Sequence, residues 1–427
     1  MPRPLHLRAS ITSVAPGGDG VAHVDIDGER RALFVPHTAP GDVVLAEVDL
    51  SKRPARGRLV ELLTPGPDRV APACPWATPC GACDWMHLST PAQARLHVEH
   101  VRAALPAAWR DLPISSHSPA PPLAYRTRAR VHVRCERGRV DVGMHAAGSH
   151  DPVPVDTCAV LDPALEAARR SLAALFAGCK GRGEVQLALG TGGAAVLEAR
   201  WHGELAPSCY ARLEKAVAAG HLAGARVTAG ESSRPAVVGD PTPWMRGPDG
   251  EPLKLAPGGF AQASEPANTA LARHVAEVAT ARPGEKAVEL YAGSGNLTVL
   301  LARTAGELVT VESIREACDA ARANLAARGL HAKVVEADAD AHAWSPATKL
   351  LVLDPPRTGA RAVAERLAAF RVPRVVYVSC DAQTLGRDLA ILAPGYEATS
   401  IATFEMFPQT SHVETVVALQ RTRGARS

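Results

Sequence analysis

The stretch Val375-Val-Tyr-Val-Ser-Cys380-Asp381 decides how the C-terminal part of this chain is read. It is an unbroken apolar run that stops in a cysteine, and a helical pattern begins at once behind it. Such a run suits a strand buried on both faces, as in a parallel sheet covered by helices. In open α/β sheets the carboxyl ends of the strands are where ligands bind. Working outward, further strands are expected at Ala287–Tyr291, Glu307–Val311, Lys333–Glu336, Lys349–Leu353 and Arg374–Val378. Helices are expected at Leu297–Arg303, Ile314–Arg328, Ala360–Phe370 and Ala382–Leu392, with antiparallel closing strands at Ala398–Thr403 and Val413–Leu419. Strands alternating with helices predict a parallel, doubly wound sheet.

Acidic and glycine residues gather at the ends of these strands. Glu289-Leu-Tyr-Ala-Gly293-Ser-Gly295-Asn296-Leu-Thr298 leaves the first strand and opens a helix, where glycines let backbone approach a ligand closely. Thr298 stands where a dinucleotide fingerprint has a third glycine or alanine, which argues against a nicotinamide cofactor. Glu312 ends the second strand and suits the two hydroxyls of a ribose. Asp338 follows the third strand, within reach of an adenine amino group, and Asp354 closes the fourth. Any one of these acids could cap a helix. Together they describe one nucleoside-like ligand, and S-adenosylmethionine fits.

The front of the chain differs. Residues 5–63 alternate apolar and polar positions between turn signals at Pro16-Gly-Gly-Asp-Gly20 and Ala39-Pro-Gly41, as in a small β-barrel. Lys52, Arg53, Arg56 and Arg58 form a basic group that suits phosphate, although such loops are often simply solvated. Then comes Cys74-Pro-Trp-Ala-Thr-Pro-Cys80-Gly-Ala-Cys83, a turn-rich loop able to aim three thiolates at one ion. Zinc and an iron–sulfur cluster each want a fourth ligand. Cys158 is the first candidate for it, and Cys135, on a strand, the second. Cys179, Cys209 and Cys318 sit in helix-like contexts and read as core. Arg126, Arg128, Arg130 and Arg134 alternate along one strand and would share a face, which favours an anionic partner. Residues 160–255 alternate helix-like and strand-like stretches with no chemical motif.

Composition sets the frame. The chain has 427 residues, 46% hydrophobic and 21% charged, enough for two or three ordinary globular domains. No apolar run reaches the roughly 20 residues of a membrane helix, and the start lacks an apolar signal core, so a cytoplasmic location is expected. Nine cysteines in such a chain point to metal or catalysis rather than to disulfides. A net charge of +3 says little about a nucleic-acid partner.

Residues 256–427 resemble the RNA uridine-5 methyltransferases, which form 5-methyluridine. The resemblance is carried by Gly259-Phe-Ala-Gln262, the glycine loop, DPPRTG at 354–359, Ser379-Cys380-Asp381 with Thr384-Leu-Gly-Arg-Asp388, and FPQTSHVE at 407–414. The start resembles a TRAM domain, an RNA-binding barrel, through Gly20-Val-Ala22, Phe34-Val-Pro36 and Pro40-Gly41-Asp42. These likenesses imply three domains: a TRAM barrel over 1–64, a central α+β domain over 65–255 whose helix near 90–109 packs on the catalytic domain, and a Rossmann-like class I methyltransferase domain over 256–427. They imply Cys380 as nucleophile and Glu414 as general base, with Gln262, Tyr291, Asn296, Glu312, Asp338 and Asp354 holding S-adenosylmethionine. Cys74, Cys80, Cys83 and Cys158 would bind a 4Fe-4S cluster, as in the 23S ribosomal-RNA branch. Ala382 replaces a common proline, and Glu405 stands where aspartate is usual.

The chemistry agrees with the likeness. Carbon 5 of uracil is too weak a nucleophile to take a methyl group until a thiolate adds to carbon 6. A base must then remove the carbon-5 proton. The expected substrate is an unpaired or flipped uridine, in ribosomal RNA ahead of tRNA, and the protein is expected to act as a monomer. An amino-group methyltransferase would want an aromatic residue at Arg357, and a radical S-adenosylmethionine enzyme would want C-x3-C-x2-C with one iron left open. A purely RNA-binding protein would explain the barrel and the arginines but not Cys380 with Glu414.

Overall fold

Period-two alternation builds the first unit. In the computed structural model, which describes residues 5–26, 28–149, 151–230, 234–370 and 372–422, five strands close into a barrel. They are β1 (Leu5–Val14), β2 (Gly20–Ile26), β3 (Glu29–Val35), β4 (Val43–Asp49) and β5 (Ala55–Thr64), paired in the order β1-β2-β3-β5-β4. Ala22, Val24, Ile26, Leu33, Val35, Val44 and Ala46 fill its interior. Pro40-Gly41-Asp42 works as a rim clamp. The buried Asp42 carboxylate accepts from the Ala39 and Gly66 amides at 2.6 and 2.8 Å and pairs with Arg69 at 2.6 Å. Arg56 pairs with Asp19 and lies over the Phe34 ring, and Arg58 pairs with Glu47 at 2.5 Å. Two of the four cations expected to face phosphate are therefore held by the barrel's own carboxylates. Residues 1–4 of the region read as barrel lie outside the described residues.

Helix α1 (Thr90–Ala104) starts on a Ser89 cap with proline in its first turn, and its inner face carries Leu96 and Val101. Leu96 joins Trp85 and Leu88 against Val14 and Ala39 of the barrel. Val101, Leu105 and Trp109 enter the same core as Tyr377, Leu385 and Leu389 of the C-terminal sheet. The short strand β6 (Ser115–His117) then adds an edge to that sheet.

The central layer is a seven-stranded sheet covered on one face by α2 (Pro163–Leu175) and α3 (Pro207–Ala218). Its strands are β7 (Arg128–Glu136), β8 (Arg139–His145), β9 (Pro152–Pro154), β10 (Lys180–Leu189), β11 (Ala195–Glu204), β12 (Leu222–Ala229) and β13 (Ala236–Gly239), in the order β13-β12-β11-β10-β7-β8-β9. A hairpin, β14 (Trp244–Arg246) with β15 (Pro252–Lys254), and helix α4 (Glu265–Ala279) lead into the last unit.

That unit is the doubly wound sheet. It comprises β16 (Lys286–Leu290), α5 (Thr298–Leu301), β17 (Glu307–Glu312), α6 (Arg315–Ala326), β18 (Lys333–Glu336), β19 (Thr348–Leu353), α7 (Arg361–Phe370), β20 (Arg374–Ser379), α8 (Ala382–Leu392), β21 (Tyr396–Phe404) and β22 (Glu414–Arg421). The order is β18-β17-β16-β19-β20-β22-β21-β6, with the pairs from β18 to β20 parallel and β22 antiparallel to its neighbours. Leu350–Leu353 and Val375–Val378 are buried throughout, as the apolar runs require. The order reverses beside β16, so the glycine loop lies at the switch point.

Candidate active site

The pairing of β20 with β22 builds the centre. Ser379 lies opposite Thr415, so the next step outward sets Cys380 beside Glu414. β19 runs parallel to β20 on its other side, with Leu353 against Tyr377, and delivers Asp354 to the same end of the sheet. The three groups act on one another electrostatically. Burial, then the Glu414 and Asp354 carboxyls, push the Cys380 thiol up to about 12, while the Arg357 guanidinium pulls it down. Burial and Asp354 raise Glu414 to about 8, and burial raises Asp354 to about 7. One carboxylate oxygen of Glu414 is buried with no hydrogen-bond partner among the described residues. An unsatisfied buried acid at a strand end makes this a candidate ligand site.

Two clamps hold these residues. Asp381 caps α8 by accepting from the Thr384 amide at 2.8 Å, and the Thr384 hydroxyl donates to the Arg357 carbonyl at 3.1 Å. Arg387 donates to the Thr358 carbonyl and to Asp388. The buried Asp388 carboxylate accepts from the Ala360 amide and the Tyr377 hydroxyl at 2.8 and 2.7 Å. The Thr384-Leu-Gly-Arg-Asp388 run thus fastens the DPPRTG turn to the cysteine's own helix. Gly386 belongs to the same packing: a Cβ there would lie 2.2 Å from the Ala104 carbonyl oxygen of α1.

The second clamp reaches across the chain. Gln93 of α1 accepts from the Gln409 amide at 2.8 Å and donates to the Gln409 side-chain oxygen at 3.1 Å. The Trp85 amide donates to the Gln409 carbonyl, the Ser411 amide to Asp84, and the Tyr125 hydroxyl to the Pro408 carbonyl, all within 2.9–3.0 Å. Glu405 meets the buried His97 ring at 2.9 and 3.0 Å, and Trp85 stacks on that ring. Glu405, the residue that departs from aspartate at this position, reaches the His97 ring with both carboxylate oxygens. His412 lies 3.3 Å from Arg357, which ties the base loop to the DPPRTG turn.

The residues expected to hold the cofactor line the neighbouring strand ends. Tyr291, Gly293 and Gly295 all have positive φ, which opens the loop for a ligand. A Cβ on Gly293 would meet nothing within 4 Å. Asn296 is fixed by a reciprocal amide pair with buried Asn268, at 2.9 and 2.7 Å. Glu312 accepts from the Gly293 and Ile314 amides at 2.9 Å each. Asp338 is exposed and accepts from the Asp340 amide at 2.9 Å, while the Tyr291 hydroxyl bonds Asp340. Gln262 is buried, and its side-chain oxygen has no partner among the described residues. Its neighbour Phe260 is 72% exposed, which leaves an aromatic face open to a base.

Cys74, Cys80, Cys83 and Cys158 line one small cavity with Arg126, Met86 and Met144. Burial and the other three thiols raise Cys83 to about 12, with Arg126 opposing. No group of three or more His, Cys, Asp or Glu among the described residues stands at metal-holding geometry. Cys135, the alternative ligand, lies instead in the central core, its thiol toward the Phe176 carbonyl. Cys179, Cys209 and Cys318 are buried as expected. No helix among the described residues is long and apolar enough to cross a membrane.

The model of the tRNA (uracil-5-)-methyltransferase family matches residues 343–422. The 23S rRNA (uracil(1939)-C(5))-methyltransferase RlmD of Alkalilimnicola ehrlichii is 32% identical over 96% of this chain and 96% of its own. This chain belongs to the RNA uracil-C5 methyltransferase family. The RlmD of Halomonas elongata is 34% identical over 97% of this chain and 90% of its own. The crystal structure of a Pyrococcus abyssi tRNA (uracil-54, C5)-methyltransferase with S-adenosyl-L-homocysteine shares the fold, with a TM-score of 0.75 at 20% identity over 97% of this chain and all of that one.

Proposed function

We propose that the protein transfers a methyl group from S-adenosylmethionine to carbon 5 of a uridine in 23S ribosomal RNA, with Cys380 as nucleophile and Glu414 as base. The observation that carries this reading is the β20–β22 register, which sets a thiol and a sealed carboxyl side by side at the ligand end of the sheet. Ribosomal RNA is favoured because the full-length relatives named above act on it.

S-adenosylmethionine, when bound, supplies the methyl group. Gln262, Tyr291, Asn296, Glu312, Asp338 and Asp354 are the residues we assign to its binding; Gln262 offers an unclaimed acceptor and the glycine turn an open backbone. The Cys380 thiol gives its proton to solvent and adds through sulfur to carbon 6 of the uracil, which moves density to carbon 5 and to the carbonyl oxygen on carbon 4. Glu414, once ionised, takes the carbon-5 proton, and the Cys380 sulfur leaves by elimination. Phe260 offers its exposed ring to a base.

We assign the closed barrel as a TRAM module over 1–64, residues 65–255 as the central domain and 256–427 as the catalytic domain. The four cysteines around one cavity suit a 4Fe-4S cluster, which would fasten their loop; methyl transfer requires no redox step from it. RNA carrying 5-fluorouridine at the target should trap the protein covalently, because fluorine cannot leave as a proton. Adduct formation by Cys380→Ala at wild-type yield would refute the nucleophile. Loss of 5-methyluridine from tRNA rather than 23S RNA in a deletion strain would move the substrate to tRNA.

A further inference from the structure

The face of the central sheet turned away from α2 and α3 takes no part in the chemistry above. Along β7, Ala129, Val131, Val133 and Cys135 are buried under the helices, which turns Arg128, Arg130, His132 and Arg134 to the opposite face. The register continues that face sideways. Arg182 of β10 lies opposite Arg134, and His202 of β11 lies opposite Arg182. Arg200 lies opposite Glu184.

These side chains border an open groove of about 740 Å³. Four guanidiniums, from Arg130, Arg134, Arg182 and Arg200, face it with two carboxylates, Glu184 and Asp151. Arg130 pairs with Glu184 at 2.9 Å, and Arg134 lies 3.7 Å from Asp141. Arg182 and Arg200 are exposed, and neither forms an ion pair among the described residues. His132 and His145 stack with ring centroids 3.5 Å apart, giving the floor a flat aromatic edge.

The arginine strand leads from the groove back toward the active site. The Arg126 guanidinium lies 5.9 Å from the centre of the Phe407 ring, at the start of the base loop, and Arg128 donates to the Gly259 carbonyl beside Phe260. Alternate strand residues are about 7 Å apart, so the row from Arg128 to Arg134 extends roughly 20 Å along β7. Holding uncommitted guanidiniums on one open face costs mutual repulsion, which a polyanion relieves.

We propose that this face is the track for the RNA strand flanking the target uridine, its phosphates seated on Arg130, Arg134, Arg182 and Arg200. The proposal rests on the RNA-methylation reading and adds where the substrate lies. The test is Arg134→Gln combined with Arg182→Gln and Arg200→Gln, measured for binding to transcribed 23S RNA between 0.05 and 0.3 M salt. Each lost single-strand phosphate contact lowers the slope of log K against log salt by about 0.7, so three lower it by about 2. Acting over the decade below 1 M, that weakens binding at 0.1 M salt on the order of a hundredfold.

A five-residue RNA with the uridine at its centre cannot span the roughly 20 Å from Arg128 to Arg134 and still place that uridine in the site. Its methylation should match wild type, which shows an intact fold. The Arg→Lys triple variant should keep the salt slope. An unchanged slope with affinity within twofold of wild type overturns the track, and so does loss of pentamer methylation together with RNA binding. If wild-type protein methylates neither RNA, the proposed function fails and not the track alone.

Discussion

Replacing Gln93 by leucine tests whether the base loop is held from α1. The Gln93 side-chain oxygen accepts from the Gln409 amide at 2.8 Å, and its two N–H groups are shared among the Leu88 carbonyl at 2.8 Å, the Gln409 side-chain oxygen at 3.1 Å and the Trp85 carbonyl at 3.2 Å. Leucine keeps the volume and removes every bond, stranding a buried amide that carries the Gln409 turn. A stranded buried donor costs about 1–3 kcal/mol, and each lost bond adds about 1 kcal/mol. The carbonyls retain partial alternatives, so about 3 kcal/mol is the expected loss. If that energy holds the loop closed over the site, kcat falls by about two decades, at 1.4 kcal/mol per tenfold. Rapid mixing with tritiated S-adenosylmethionine and excess protein reads the methyl-transfer and release steps, and thermal unfolding reads the stability. Adduct formation on 5-fluorouridine RNA should survive, because Cys380 directly follows the last residue of β20, Ser379, and is not on the loop. Turnover within threefold of wild type, despite the stability loss, would refute the positioning role.

Three further outcomes follow from the buried acids and thiols. Glu414→Gln should lower kcat by about 10²–10⁴-fold and let the methylated covalent complex accumulate, seen as a gel-shifted band. In the wild type kcat should rise with pH and level off above about 8, since the base must be ionised and burial raises it; a flat profile from pH 6 to 9 would exclude it. Glu289 is buried against the Thr298 and Thr310 hydroxyls, and burial raises it from 4.5 to about 7. The folded state therefore holds a proton that the unfolded state releases. Its stability contribution is complete below pH 4.5 and is lost as pH rises through about 7. Glu289→Gln should remove that decline and leave the protein about 3 kcal/mol more stable at pH 8 than wild type, by urea unfolding; equal pH slopes would refute the assignment. Protein purified without oxygen should carry iron and acid-labile sulfide in equal amounts, near four of each per chain. Cys83→Ser should lose both, whereas bound zinc without sulfide would rule out the cluster but keep the four-cysteine site.

Much of the catalytic sheet was legible because buried parallel strands are written as apolar runs. β18 and α8 fall on Lys333–Glu336 and Ala382–Leu392 as expected, and the other boundaries shift by a few residues at frayed ends. α5 is shorter than expected, four residues, because the chain leaves the glycine loop through turns before any helix forms. The face of the arginine strand was also legible, since alternation fixes it. The fate of each arginine was not: Arg128 is mostly buried and bonds the Gly259 carbonyl, and Arg56 of the barrel serves Asp19. An apolar stripe says that a helix has a partner, never which one. For the helix near 90–109 the family resemblance supplied that partner, and α1 does enter the catalytic core; β6, from the same segment, joins the sheet as an edge that no pattern indicated.

What no local pattern could disclose is the coupling of the cysteine loop to the base. Gln93 and Gln409 are 316 positions apart, and their bond exists only once α1 has docked on the catalytic sheet. The segment that makes this dock begins one residue after Cys83: Asp84 takes the Ser411 amide, Trp85 the Gln409 carbonyl, and His97 the Glu405 carboxylate. Glu405 and Glu414 bracket the loop whose far end, in the proposed reaction, presents a carboxyl to the uracil. A sequence reader sees a metal-like loop and a catalytic motif as separate features and explains each alone. In the folded chain they are the two ends of one brace, so disorder at the cysteines would reach Glu414 without any residue of the catalytic sheet changing. That is why the spectator-like glutamine on α1, with no chemistry of its own, is the residue whose replacement most directly separates holding the base from being the base.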